Sequence, residues 1–101
     1  MSKITTFAKG RDCTVRIPGI CNDNPETSVM SHVPNGLRFG KGLGKKPSDL
    51  LVAIICYECH RHVDGQTLSE YSKEYLEVSW WRGHGETLLL LEQEGIIQCK
   101  I

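Results

Sequence analysis

Five cysteines stand in a chain of 101 residues, and four of them fall into two groups, Cys13 with Cys21 and Cys56 with Cys59. A chain this short buries a smaller share of its surface than a large enzyme, so a hydrophobic core alone stabilises it only modestly. The leading stretch MSKITTFAKGRDC has no apolar segment behind a basic start, which predicts a cytoplasmic protein whose thiols stay reduced. Cys56-x2-Cys59 can offer two thiolates to one tetrahedral ion, at a Zn–S distance of about 2.3 Å. Cys13 and Cys21, with Pro18-Gly19 turning the chain between them, can supply the other two. Their seven-residue gap is wider than the usual spacing of about two to four. Free buried thiols and a CxxC redox pair are the competing readings. The second lacks the βαβ pattern and the long following helix that redox motifs use. The spacing therefore predicts a structural zinc, Zn2+, held by Cys13, Cys21, Cys56 and Cys59, which would add the folding free energy a small core lacks. Cys99 is the odd thiol and is left outside the site.

The rest of the composition narrows the class. Hydrophobic residues make up 40% and charged residues 24%, as in a globular domain. The apolar run Leu50–Tyr57 is far short of the ~20 residues of a membrane span. Length predicts a single domain over residues 1–101, with knuckles and core in 13–65 and a helical extension in 66–101. Net charge is zero, which argues against a purely electrostatic nucleic-acid binder. The charge is unevenly spread, with nine Lys/Arg against six Asp/Glu in residues 1–69 and three against six in 70–101. Any nucleic-acid contact is expected to be local.

Along the chain, residues 1–12 read as a polar lead-in and 13–24 as a knuckle-like loop. Residues 27–33 read as a short strand ending at Pro34. Residues 34–47 hold six Gly or Pro in fourteen positions, too many for a core-forming element. A turn then leads into a buried strand over 51–55 and a two-turn helix from about Glu58 to the C′ glycine Gly65. Thr67 and Glu70 fit a capping box, starting a helix with Leu68, Tyr71, Tyr75 and Val78 on one face. Gly83 and Gly85 leave open whether that helix continues to Gly95. His84, between two glycines, reads as an exposed turn residue. Trp80 and Trp81 read as core and interface.

Cys59 is followed by His60, His62 and Asp64. Residues four apart share a helix face, so His60 and Asp64 could grip one ion, while His62 points elsewhere. Arg38, Lys41, Lys45 and Lys46, interleaved with glycines, suit either contact with a phosphate backbone or a plain solvated loop.

A cysteine pair, a strand-borne His32, a loop, and a strand running into C-x2-C-H on a short helix together resemble the HNH (ββα-metal) nucleases over residues 13–65. CTVRIPGICNDNPETSVMSHV and KPSDLLVAIICYECHRHVDG are similar to the YbcO family of prophage-encoded nucleases along most of the chain. The resemblance implies an α+β, zinc-stabilised ββα-metal fold with an added C-terminal helical segment. It implies an endonuclease acting on DNA, with His32 as general base and His60, joined by Asp64, as ligands of a catalytic divalent cation such as Mg2+ or Mn2+. Imidazole is the side chain that ordinarily titrates nearest neutrality, which suits a base. Two positions depart from the pattern. Ser31 stands where a metal-binding Asp or His is expected, and Leu51 where the middle Asn would be, with Asp49 or Asn35 as substitutes. These departures keep two other readings open: a catalytically inactive, zinc-stabilised nucleic-acid-binding module, and a protein-interaction module built on Trp80-Trp81.

Overall fold

A computed structural model describes residues 3–34 and 48–98. The positions of Asn35, Arg38, Lys41, Lys45, Lys46 and Cys99 lie outside them. The elements run α1 (Lys3–Thr6), a 3-10 turn at Pro25–Thr27, β1 (Val29–His32), β2 (Val52–Ile55), α2 (Tyr57–Val63) and α3 (Lys73–Gln93). Among the described residues this is a small α+β arrangement of one two-stranded sheet and three α-helices. No helix among the described residues is long and apolar enough to cross a membrane.

The strands pair antiparallel, with Val29 opposite Ile55, Met30 opposite Ile54, Ser31 opposite Ala53 and His32 opposite Val52. All four β2 residues are buried. Alternation sends Ala53 and Ile55 to one face and Ile54 to the other. On the first face lie Cys13, Val15, Ile17, Cys56, Cys59, Leu76 and Trp80. On the second, Ile54 packs with Phe7, Ala8 and Leu91, and the partly buried Met30, Ile96 and Ile97 join them. The lead-in is thus more than a polar tail: α1 delivers Phe7 and Ala8 to this cluster.

An uncovered strand edge would leave buried backbone groups unpaired. Here side chains cover the outer edge of β2. The Ile54 N–H donates to Thr87 Oγ1 at 3.0 Å. The Ile54 carbonyl accepts from the Thr14 N–H at 2.9 Å and from Thr14 Oγ1 at 2.8 Å. His84 Nδ1 donates to the Val52 carbonyl at 2.7 Å, and its ring stacks on Trp80 with centroids 5.5 Å apart.

This corrects the sequence reading of the second half. The helix runs unbroken through Gly83 and Gly85, and His84 sits within it as an edge-capping residue. The buried stripe of α3 is Leu76, Ser79, Trp80, Gly83, Thr87 and Leu91. Three of these six are not apolar side chains, so no hydrophobic period shows. Leu68 and Val78, expected on the buried face, are 97% and 67% exposed. The helix starts at Ser72, whose side chain accepts from the Tyr75 N–H at 3.0 Å, and the Thr67–Glu70 box is not used. Ser69 Oγ instead accepts from the Tyr71 N–H, and the Tyr71 hydroxyl donates to the Pro18 carbonyl at 2.6 Å. These bonds hold the connection outside the helix. Gly65 and Gly95 have φ of +73° and +76°, the left-handed geometry of helix-ending glycines.

Candidate functional site

The thiols converge. One sulfur from each of Cys13, Cys21, Cys56 and Cys59 lies within 4.8 Å of the other three, close enough to hold a metal ion. Among the described residues this is the only such group of three or more Cys, His, Asp or Glu ligands. Two matching turns build it. The Cys59 N–H points at Cys56 Sγ, and the Arg16 N–H points at Cys13 Sγ, each at 3.4 Å and each three residues on. Arg16 closes its turn with φ of +42°, a left-handed conformation that costs a non-glycine residue about 1–2 kcal/mol. Its guanidinium is held by two bonds to Glu86, at 2.6 and 3.2 Å. Cys21 arrives through a separate turn over Pro18-Gly19, its N–H donating to the Ile17 carbonyl at 2.9 Å. The wide gap between Cys13 and Cys21 is therefore two turns in series, the first hidden because an arginine occupies its closing position.

The donor set fits a divalent ion. Tetrahedral bonds of about 2.3 Å put sulfurs about 3.8 Å apart, and Cys21 Sγ and Cys56 Sγ are 3.9 Å apart. Cys13, Cys56 and Cys59 are buried and Cys21 is partly exposed. The hydrogen bond from Cys59 draws the Cys13 thiol down to about 5, helped by the Arg16 N–H and opposed by burial. The same bond, with burial, pushes the donor Cys59 up. Burial pushes Cys21 up to about 12. The Cys13 thiolate is favoured, whereas Cys21 and Cys59 are pushed toward keeping their protons. Full deprotonation of the set needs a cation in the middle.

The histidines form separate pairs. His60 Nε2 on α2 lies 2.8 Å from Oδ2 of Asp64, the residue that caps the end of that helix, both about one-third exposed, which is the expected pairing across one turn. His32, at the end of β1, has Nε2 2.9 Å from Asp49 Oδ1. The two pairs do not merge into one ligand group. His62 lines a shallow groove of about 390 Å3 with Pro18, Leu68 and Tyr71, away from His60. Ser31 is 3% exposed, and its hydroxyl accepts from Trp80 Nε1 at 3.2 Å. That oxygen braces the sheet against α3. Trp81 packs against the same core only partly buried.

By fold and site this is a hairpin–helix protein with four converging thiols and one long closing helix, with a histidine–carboxylate pair at the end of the hairpin and another at the end of the following helix. Residues 2–96 match the family model described as "Putative nuclease YbcO", and the chain belongs to that family. It is 40% identical over 103 residues to "Putative nuclease YbcO" of Escherichia coli (strain K12), covering 98% of this chain and 100% of that one. Identity and coverage are the same for "Putative nuclease ybcO" of Enterobacteria phage 82. A solved structure described as a putative bacteriophage protein from Escherichia coli str. K-12 substr. MG1655 superposes with a TM-score of 0.75 at 38% identity, covering 90% of this chain and 98% of that one.

Proposed function

We propose that this chain is a metal-dependent endonuclease of the HNH (ββα-metal) class, hydrolysing phosphodiester bonds in DNA in a phage or prophage setting. One observation carries the reading, the order of chemistry along the fold. A hairpin strand ends on His32, its partner runs into Cys56-x2-Cys59, and the helix that opens there bears the His60–Asp64 pair. The whole of 1–101 acts as one domain, with 66–101 buttressing the 13–65 core.

In this reading the thiol group holds zinc, which when bound ties the 13–21 knuckle to the β2–α2 junction. His60 and Asp64 hold the catalytic cation. Their atoms are 2.8 Å apart, near the roughly 3 Å between adjacent ligands of an octahedral ion with bonds of about 2.1 Å. A divalent ion such as Mg2+ or Mn2+ supplies, when bound, positive charge beside the phosphate oxygens. His32 takes a proton from the attacking water. The hydroxide bonds to phosphorus, the bond to the leaving oxygen breaks, and that oxygen takes a proton from solvent. Arg38, Lys41, Lys45 and Lys46, which fall between the two histidines in the sequence, bind the phosphate backbone.

The test is nicking of supercoiled plasmid with Mg2+, Mn2+ or Ni2+. Wild type is expected to nick, and His32→Ala to lose at least about a hundredfold in rate, the lower end of what a general base contributes, with bound zinc unchanged. Equal nicking by the variant would remove His32 from the mechanism. A second reading, a zinc-stabilised nucleic-acid-binding module without catalysis, draws on Ser31: the position before the base is committed to Trp80. A wild type that shifts DNA and cuts it with none of the three ions would favour it.

A further inference from the structure

Asp49 is a side chain that the proposed chemistry does not yet use, and the fold fixes it with some care. It lies in the turn Ser48–Leu51, closed by the Leu51 N–H donating to the Ser48 carbonyl at 3.0 Å. Ser48 Oγ accepts from the Leu50 N–H at 3.1 Å, bracing the same turn. The Val33 N–H donates to the Leu51 carbonyl at 2.9 Å, adding a rung beyond the His32–Val52 pair. The turn is therefore pinned to the end of β1, and Asp49 Oδ1 meets His32 Nε2 at 2.9 Å. The side chains are 31% and 45% exposed, so water and substrate reach the ring. A contact this exposed adds little to stability, and its effect falls on the orientation of the imidazole.

We propose that Asp49 is the positioning residue for His32. Its carboxylate accepts the Nε2–H, fixing the tautomer in which Nδ1 carries the lone pair. Nδ1 is then the nitrogen that takes the proton from water, and Nε2 keeps its own proton throughout. When the ring becomes imidazolium, Asp49 balances the charge without itself being protonated. The inference rests on the reading of His32 as the base, but the tautomer can be measured without any cleavage.

The experiment uses the full chain with its bound metal, 15N-labelled in its imidazoles. Long-range 1H–15N spectra, taken at a pH where the His32 ring is neutral, report which nitrogen bears hydrogen. Wild type should show the Nε2–H form. Asp49→Asn, whose side-chain oxygen still accepts, should keep it, and Asp49→Ala should give a tautomer mixture. In plasmid nicking, Asp49→Ala should lower kcat at least about tenfold, with KM within twofold and zinc content unchanged. Asp49→Asn should fall between Asp49→Ala and wild type. An unchanged tautomer together with unchanged kcat in Asp49→Ala would overturn the inference and leave the nuclease reading standing. A wild type that cuts nothing yet shows the tautomer change on Asp49→Ala would sink the nuclease reading and uphold Asp49 as the group that orients the ring.

Discussion

The two faces of the hairpin are closed by different means. One face carries Ala53 and Ile55 onto a cluster that includes three buried thiols, built from the 13–17 knuckle, α2 and the first half of α3. The other carries Ile54 onto Phe7, Ala8 and Leu91, brought in from both ends of the described chain, with no thiol among them. The first face sets the junction from which α2 springs, so it governs where His60 and Asp64 stand. The second closes by ordinary apolar burial. The thiols that could hold an ion thus all lie on one face of the hairpin, and the other face is closed without them.

That contrast can be broken most forcefully at Cys56. Serine is as good an N-cap as a helix can have, so Cys56→Ser spares the cap of α2 while removing one thiolate. If the first face depends on its ion, the variant loses its metal and most of a domain stability of about 5–15 kcal/mol, read as loss of the folded circular-dichroism signal and of bound zinc. Leu91→Ala probes the other face. It should cost about 2–5 kcal/mol in urea melts and leave one zinc per chain. Metal loss there would mean that the two faces are not separable.

The glycines of α3 sharpen the comparison with opposite signs. A Cβ on Gly83 would meet Val15 Cγ2 at 2.8 Å and Thr14 Oγ1 at 2.9 Å, whereas one on Gly85 meets nothing within 4 Å. Gly83→Ala should destabilise by about 1–3 kcal/mol through overpacking against the knuckle. Gly85→Ala should stabilise by about 0.5–1 kcal/mol through helix propensity. Thermal melts of the two variants side by side check both signs. Glu86→Gln should do least. It weakens the exposed pair with Arg16 and should cost no more than about 1 kcal/mol, falling further in high salt.

How legible all this was depended on whether residue type and spacing carried the signal. Cys56-x2-Cys59, the glycine-ended α2, the short β-rich strands and the i,i+4 match of His60 with Asp64 were readable because each uses a local rule. The four-thiol grouping followed from counting, although the turn at Arg16 was hidden behind a left-handed residue that is not glycine. Helix α3 misled. Its buried stripe runs through Ser79, Gly83 and Thr87, chosen for close approach and for capping the edge of β2, while apolar Leu68 and Val78 face solvent. His84 looked like a loop residue because its partner is a backbone carbonyl 32 residues away, which no local pattern encodes. Asp49 was one of two candidates for a missing asparagine. The Ser48–Leu51 turn and the extra rung at Val33–Leu51, neither of which a local pattern encodes, set it against His32.

If one ion, bound by sulfur alone, fixes the junction between hairpin and helix, its coordination shell will show it. Zinc K-edge X-ray absorption on the purified chain tests it most directly. One zinc per chain is expected, with a single shell of four sulfurs at about 2.3 Å, the same in Cys99→Ser. A mixed shell containing imidazole nitrogen, or a folded chain without stoichiometric metal, would contradict it.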